Sequence, residues 1–323
     1  MECRGVVAQA PGLTASTLNK SLTVFLARRL FAAILFVVVV SSAALVLARL
    51  APGDATTELR LSGADQTTIA ETRNRLGLDQ PVIVALGQWL NGLRRFDLGY
   101  SSRFRRPVSD LIADRAPRTA ALAGVALLLA TVIGLPLGIL TGARPRGWVS
   151  MIVTPVSIAL LACPPLVGAL GLLFLAVATG WLSTAPGSLA VPTLALALPL
   201  AASLERLQSQ ATSETLNGPG LSAASARGVP AVRLLWVHVA RQSLRPVLGV
   251  YGLVIGSLFS GSLAVEVITG WPGLGRLTYE AVAGRDIHLL AGCVLMGAIF
   301  IALGNLVADV IRAMVDPRVR DAV

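Results

Sequence analysis

The side chains best suited to metal ligation or nucleophilic chemistry are two histidines and three cysteines, and neither set converges. His238 and His288 lie on either side of the apolar run 247–267. A membrane-length segment separates them, so no single active centre can hold both; His238 reads as a surface position on a loop helix and His288 as an interfacial one. Cys3, Cys163 and Cys293 are far apart in sequence, two of them inside apolar runs, with no CxxC pair. A transition-metal centre needs several nitrogen, sulfur or carboxylate ligands at one point, so these thiols read as buried and inert. No G-x-x-x-x-G-K-[ST] phosphate loop occurs, and no strand-turn-helix is available to carry one. The expectation is a non-catalytic chain that binds no metal or cofactor itself.

Polar residues set between apolar runs are more informative. The stretch AVEVITGWPGLGRLTYEAVAGRDIHLLAG, 264–292, places Glu266 at the end of one run, a Trp271-Pro272-Gly273 turn after it, and Arg276, Glu280, Arg285 and Asp286 before the next run. A carboxylate costs little at a hydrated span end and much deeper in hydrocarbon. Glu266 is therefore expected to support an interface or gate, with ordinary solvent exposure as the alternative. The four charges after it are candidates for contact with an external protein, or simple exposed charges.

These residues must be positioned by membrane-spanning helices. Of 323 residues 54% are hydrophobic and only 14% charged, too few charges for a surface that faces water all round. Apolar runs of about 20 residues recur, the length that crosses a hydrocarbon core of about 30 Å. Six spans are expected, at 27–48, 119–142, 152–179, 189–205, 247–267 and 289–311. The fourth is the weakest, being short and carrying Pro192 and Pro199, so bending is expected there. The first follows Arg28 and Arg29 but exceeds a signal-peptide core and lacks a cleavage site, so it reads as a retained span. The net charge of +10 comes without a basic helix or zinc spacing for nucleic acid and is better explained by topology. Arg28, Arg29, Arg144, Arg146, Arg312, Arg318 and Arg320 flank spans on one side, which places both chain ends in the cytoplasm. The arginine-rich segment 49–118 then lies outside, a permitted exception because long loops orient weakly.

Within that segment two helices are expected, around TTIAETRNRLG and PVIVALGQWLNGLRRF. The second repeats Val82, Leu86, Leu90 and Leu93 at helical spacing, an apolar stripe for packing on the spans or for the lipid interface. Gly252, Gly256 and Ser260 share one helix face at spacing four, a small-residue face that reads as packing or as the lining of a route. The connection 206–246 is long. Its first half reads as helix up to NGPG, LSAASARG as a short helix ended by a left-handed Gly228, and PAVRLLWVHVARQSL as another helix.

Ala223, Ala224, Ala226 and Gly228, followed by His238, Ala240 and Pro246, resemble the EAA loop of permease subunits in ATP-binding-cassette importers, with Gly220 standing near the family's usual acidic residue. RLAPGD at 49–54, LGLDQP at 76–81, FDLGYS at 96–101, PVSDLIADRAPRT at 107–119, VEVITGWPGLGRLTYEAV at 265–282, Asn305, Asp309 and DPRVR at 316–320 extend the likeness to the DppB/OppB-like branch of dipeptide, oligopeptide and nickel permeases. The resemblance implies an all-α polytopic membrane protein with the type I ABC importer permease fold. It implies a cytoplasmic tail at 1–24 and a permease domain at 25–323 containing the extracytoplasmic segment 49–118 and the coupling loop 206–246. The implied partners are a second homologous permease, two cytoplasmic ATPases that bind ATP and Mg, and an extracytoplasmic solute-binding protein, in a bacterial inner membrane. The implied cargo is a di- or oligopeptide, with a nickel chelate, an opine or another small solute as alternatives; a scaffold or passive channel is the reading from another class.

Overall fold

The computed structural model describes residues 15–51, 56, 65–75, 80–183, 185, 187–218 and 227–315. The chain forms helices α1 (Ala15–Leu50), α2 (Gln66–Arg75), α3 (Val82–Arg94), α4 (Val108–Ala143), α5 (Trp148–Ala162), α6 (Pro165–Thr179), α7 (Ala190–Leu216), α8 (Ala231–Thr269), α9 (Leu274–Ala283) and α10 (Ile287–Val315). Among the described residues there is no strand, only an isolated bridge between Tyr100 and Pro107. Helix α1 starts at Ala15, inside the stretch expected to be a tail. Helix α8 fuses the expected loop helix with the fifth span, through one π-helical turn at Leu234–Val239.

Helices α1, α4, α7, α8 and α10 are each long and apolar enough to cross a membrane. The span expected at 152–179 is not one rod: α5 and α6 meet at a 111° bend. Its cause is the Cys163-Pro164-Pro165 sequence. A residue before proline is pushed out of the helical region, and Cys163 (ψ 119°) and Pro164 (ψ 140°) are both extended, while Pro165 opens α6 where its missing N–H costs nothing.

The packing of α4 on α7 decides whether this bent pair crosses or turns back. Gly134 of α4 abuts Ala201 and Leu204 of α7, Gly138 abuts Glu205 and Gln208, and Gly142 abuts Ser209 and Thr212. Both numbers rise together, so the two helices run parallel. A chain that leaves α4 on one side must return to the other before it can start α7. The bent pair is therefore the crossing, and six passages result. Trp148 at the start of α5 and Trp181 just after α6 are both strongly exposed, as interfacial anchors at two opposite surfaces would be. Helices α1 and α10 are antiparallel, with Arg29 paired to Asp309 at 2.9 Å, so both ends of the described chain emerge on one side.

The fourth span, weakest by hydropathy, is the centre of the bundle. Helix α7 packs against α4, α5, α6 and α8 and buries Val191, Ala195, Leu200, Ala201 and Leu204. Its best 18-residue window has a mean hydropathy of 1.3, against 2.9 for the peripheral α1. Hydropathy registers lipid exposure, and a helix enclosed by other helices uses small residues instead. Pro192 lies in its first turn, where no intrahelical N–H bond is lost; only Pro199 is interior.

Outside the spans, α2 and α3 form where expected. Helix α3 packs on the spans through Ala85 and Trp89, the latter meeting Leu45 and Ala291. Val82, Leu86, Leu90 and Leu93 flank that contact and are only half-buried.

Candidate functional site: the outer hairpin and the inner loop

Helix α8 ends at Gly270, whose φ of +69° is the left-handed C-cap conformation. Four residues later α9 begins and folds back over the Val108 end of α4, the Thr269 end of α8 and the Ile287 end of α10. Glu266 is fully buried beneath this hairpin. Its Oε1 accepts the Thr119 hydroxyl at 2.7 Å, and its Oε2 accepts the backbone N–H groups of Gly275 (2.7 Å) and Arg276 (3.1 Å). Thr119 in turn accepts the N–H of Leu274 at 2.7 Å. One carboxylate thus satisfies the first turn of α9, where free N–H groups and the helix dipole favour negative charge. Solvent exposure, the alternative for Glu266, does not occur.

The glycines of WPGLG follow from that contact. A Cβ on Gly273 would stand 2.5 Å from the Glu266 carboxyl and from Thr119 Oγ1, and one on Gly275 would stand 2.6 Å from Leu263 Cα. Only hydrogen at both positions lets the turn seat on the carboxylate. Trp271 is buried in the core made by α4, α7 and α8, and Pro272 is half-buried beside it. On the inner face of α9, Leu274, Leu277 and Ala281 pack against Val108, Leu111, Ile112 and Leu289.

The four charges expected at an external surface divide. Arg276 donates to Glu280 at 3.1 Å and to the Gly270 carbonyl at 2.9 Å, so this pair, partly exposed, braces the hairpin. Asp286 is buried. It accepts the Ser101 hydroxyl (2.7 Å) and the N–H groups of Arg103 (3.2 Å) and Leu289 (3.1 Å), so it caps α10 and fastens the 99–107 turn to it. The expectation of Asp286 as an external contact is corrected by this burial. Arg285 is exposed, at φ +51°.

Sequence reasoning missed a polar cluster toward the other end. The Thr141 hydroxyl of α4 donates to Glu205 of α7 at 2.6 Å, and Gln208 of α7 donates to Ser243 of α8 at 2.7 Å and to Thr212 at 3.2 Å. Glu205, Gln208, Thr212 and Ser243 are all buried. They bind α4, α7 and α8 together next to the connection that follows α7. The only sequence signal was polarity inside an otherwise apolar helix, which periodicity alone does not distinguish from a solvated helix end.

In that connection, Ala223, Ala224 and Ala226 lie outside the described residues, and so does most of the expected LSAASARG helix. Gly228 has φ +77° and open space around the position of a Cβ. His238 is exposed on the π-helical turn, and Pro246 is exposed within α8. The face at spacing four is split: a Cβ on Gly252 would lie 2.7 Å from Asn305 Oδ1 of α10, whereas Gly256 has no neighbour within 4 Å and Ser260 is exposed. Packing within the chain explains Gly252 and neither of the others.

Residues 134–321 match the family described as binding-protein-dependent transport system inner membrane component, and residues 22–123 match the N-terminal family of the same components. The chain belongs to this family. The permease is 32% identical over 312 residues to a putative peptide transport system permease protein of Brucella suis biovar 1, covering 92% of this chain and 99% of that one. It is 32% identical over 314 residues to the oligopeptide transport system permease protein AppB of Bacillus subtilis, covering 91% and 98%. It is 30% identical over 303 residues to the glutathione transport system permease protein GsiC of Escherichia coli O6:H1, covering 92% and 98%. In three dimensions, a chain of the inward-facing methionine ABC transporter MetNI superposes with a TM-score of 0.55 at 20% identity, over 64% of the permease and 96% of that chain, a likeness of fold. The permease is thus a DppB/OppB-like, multi-pass inner-membrane subunit of an ABC importer.

Proposed function

We propose that this permease forms half of the membrane pathway of an ATP-driven importer of di- or oligopeptides, and that its 206–246 connection receives the movement of two cytoplasmic ATPases. The observation that supports this most is the path of α7 and α8. Both cross the bundle; α7 is tied to α4 by the Thr141–Glu205 bond and to α8 by the Gln208–Ser243 bond, and α8 ends on the Glu266 hairpin. A push on the inner loop therefore has rigid elements through which to reach the outer surface, the physical requirement for coupling between two states. Gly256, where a Cβ would meet nothing within 4 Å among the described residues, and the exposed Ser260 fit the side of α8 that would face the second permease or the cargo. Relatives named for peptides, oligopeptides and glutathione favour peptide cargo over a nickel chelate or an opine. The test is uptake of radiolabelled di- and tripeptides into vesicles holding the assembled transporter. ATP- and binding-protein-dependent accumulation supports the reading, and peptide-independent leak favours a channel.

Gly228 is the coupling position most open to test. Because no described residue crowds it, a side chain there acts within the chain through backbone conformation, costing about 1–2 kcal/mol in the left-handed region for an ordinary residue. Gly228→Val should uncouple ATP hydrolysis from peptide and lower uptake by about tenfold, while Gly228→Asn, which tolerates that conformation, keeps most activity. Equal loss in both variants would assign the effect to bulk at a partner contact. On the outer surface, Arg285→Glu should weaken docking of the solute-binding protein several-fold in low salt, and less in moderate salt. Unchanged docking at both salt levels would remove Arg285 from that interface.

A further inference from the structure

We propose that α3 and the Phe96 turn after it form an interfacial anchor that lies against the outer leaflet, with apolar side chains in the acyl region and arginines on phospholipid phosphates. The level of α3 is set at two points. The Arg49 side chain at the end of α1 donates to the Gln80 carbonyl just ahead of α3 at 3.2 Å. Trp89 packs on Leu45 and Ala291, positions about one turn inside the outer ends of their spans. The helix is therefore held at the height where acyl chains give way to headgroups.

At that height its outward face has the wrong chemistry for water. With about 100° per residue, Ile83 and Gly87 point away from the Ala85–Trp89 contact, with the half-buried Leu90 at one edge of that face and the exposed Asn91 at the other. Ile83 is 83% exposed, and among the described residues nothing lies within 4 Å of where a Cβ on Gly87 would stand. On α1, which α3 packs against, Leu47 and Leu50 are each 67% exposed. One turn beyond Leu90 the same face ends in Arg94, followed by Arg95, and then by Phe96, 88% exposed at φ +58°. An apolar stripe closed by exposed arginines and an aromatic ring is the composition of a helix seated in the interface.

The charge of the segment agrees. Residues 80–118 hold seven arginines and three aspartates, a balance of +4, on the side where the positive-inside rule leaves arginine unexplained. Phosphates supply the missing negative charge.

The test uses the whole transporter, with its partners, in vesicles of phosphatidylethanolamine and phosphatidylglycerol. Cys3 and Cys163 are replaced by Ser, and a small fluorophore is attached at Ile83→Cys or, as an aqueous control, at the exposed Ser109→Cys. Phospholipid brominated high on its acyl chains should quench the label at position 83 at least about twofold, while iodide quenches it at most about a tenth as well as the control. Two outcomes overturn the proposal: iodide access equal to the control without quenching by brominated lipid, or protection that arises only when the solute-binding protein is added, which would make α3 a protein-docking surface.

Discussion

Glu266→Ala should detach the first turn of α9 while leaving all spans inserted. The substitution strips the acceptor from the N–H groups of Gly275 and Arg276 and from the Thr119 hydroxyl beneath the hairpin. Each orphaned donor costs about 1–3 kcal/mol, so the hairpin loses on the order of 3–5 kcal/mol, the scale seen when one partner of a buried charged network is removed. Amide exchange at residues 271–283 should accelerate by at least about a hundredfold, and peptide uptake should fall with it. Glu266→Gln keeps one carbonyl acceptor but turns an amide toward one of the donors, so it should fall between. Exchange in the hairpin unchanged by Glu266→Ala would show that α9 is held by its Leu274–Leu277–Ala281 face alone.

The second large effect is expected where α4 meets α7. A Cβ on Gly138 would lie 2.6 Å from both Gln208 Cβ and the Glu205 carbonyl, and neither can yield without moving a helix. Gly138→Leu should force the two helices apart, break the Thr141–Glu205 bond and open the centre of the bundle. Overpacking a close-packed site costs about 1–3 kcal/mol. It costs more here, because helix association in lipid rests on close contact rather than on a hydrophobic drive. Yield of folded transporter in mild detergent should drop to a small fraction of the parent. Gly124→Leu supplies the control: same helix, same residue type, no neighbour within 4 Å, and an expected yield near that of the parent.

The spans were legible because lipid selects long apolar runs, and their two errors have physical reasons. The run 152–179 is apolar throughout, so hydropathy could not show that Pro164 and Pro165 bend it by 111°. The fourth span read as weak because it faces protein rather than lipid. The WPGLG turn was visible in the sequence, but not that the Glu266 carboxylate approaches its glycines, nor that α7 approaches Gly134, Gly138 and Gly142. Asp286 looked like a surface charge because its partners, Ser101 and Arg103, lie about 185 residues away in sequence, and spacing carries no information across that distance. The left-handed Gly228 was legible because only local backbone chemistry is involved. The cluster of Glu205, Gln208 and Ser243 was not, because it exists only once three helices are placed side by side.

The most direct test of the central claim, that this chain is one half of an ATPase-coupled pathway, is to purify the tagged permease in mild detergent from its native membrane and identify its stoichiometric partners by mass spectrometry. Recovery of a second permease together with cytoplasmic ATPases is the predicted result. An intact, reproducible complex without any ATPase would contradict the claim.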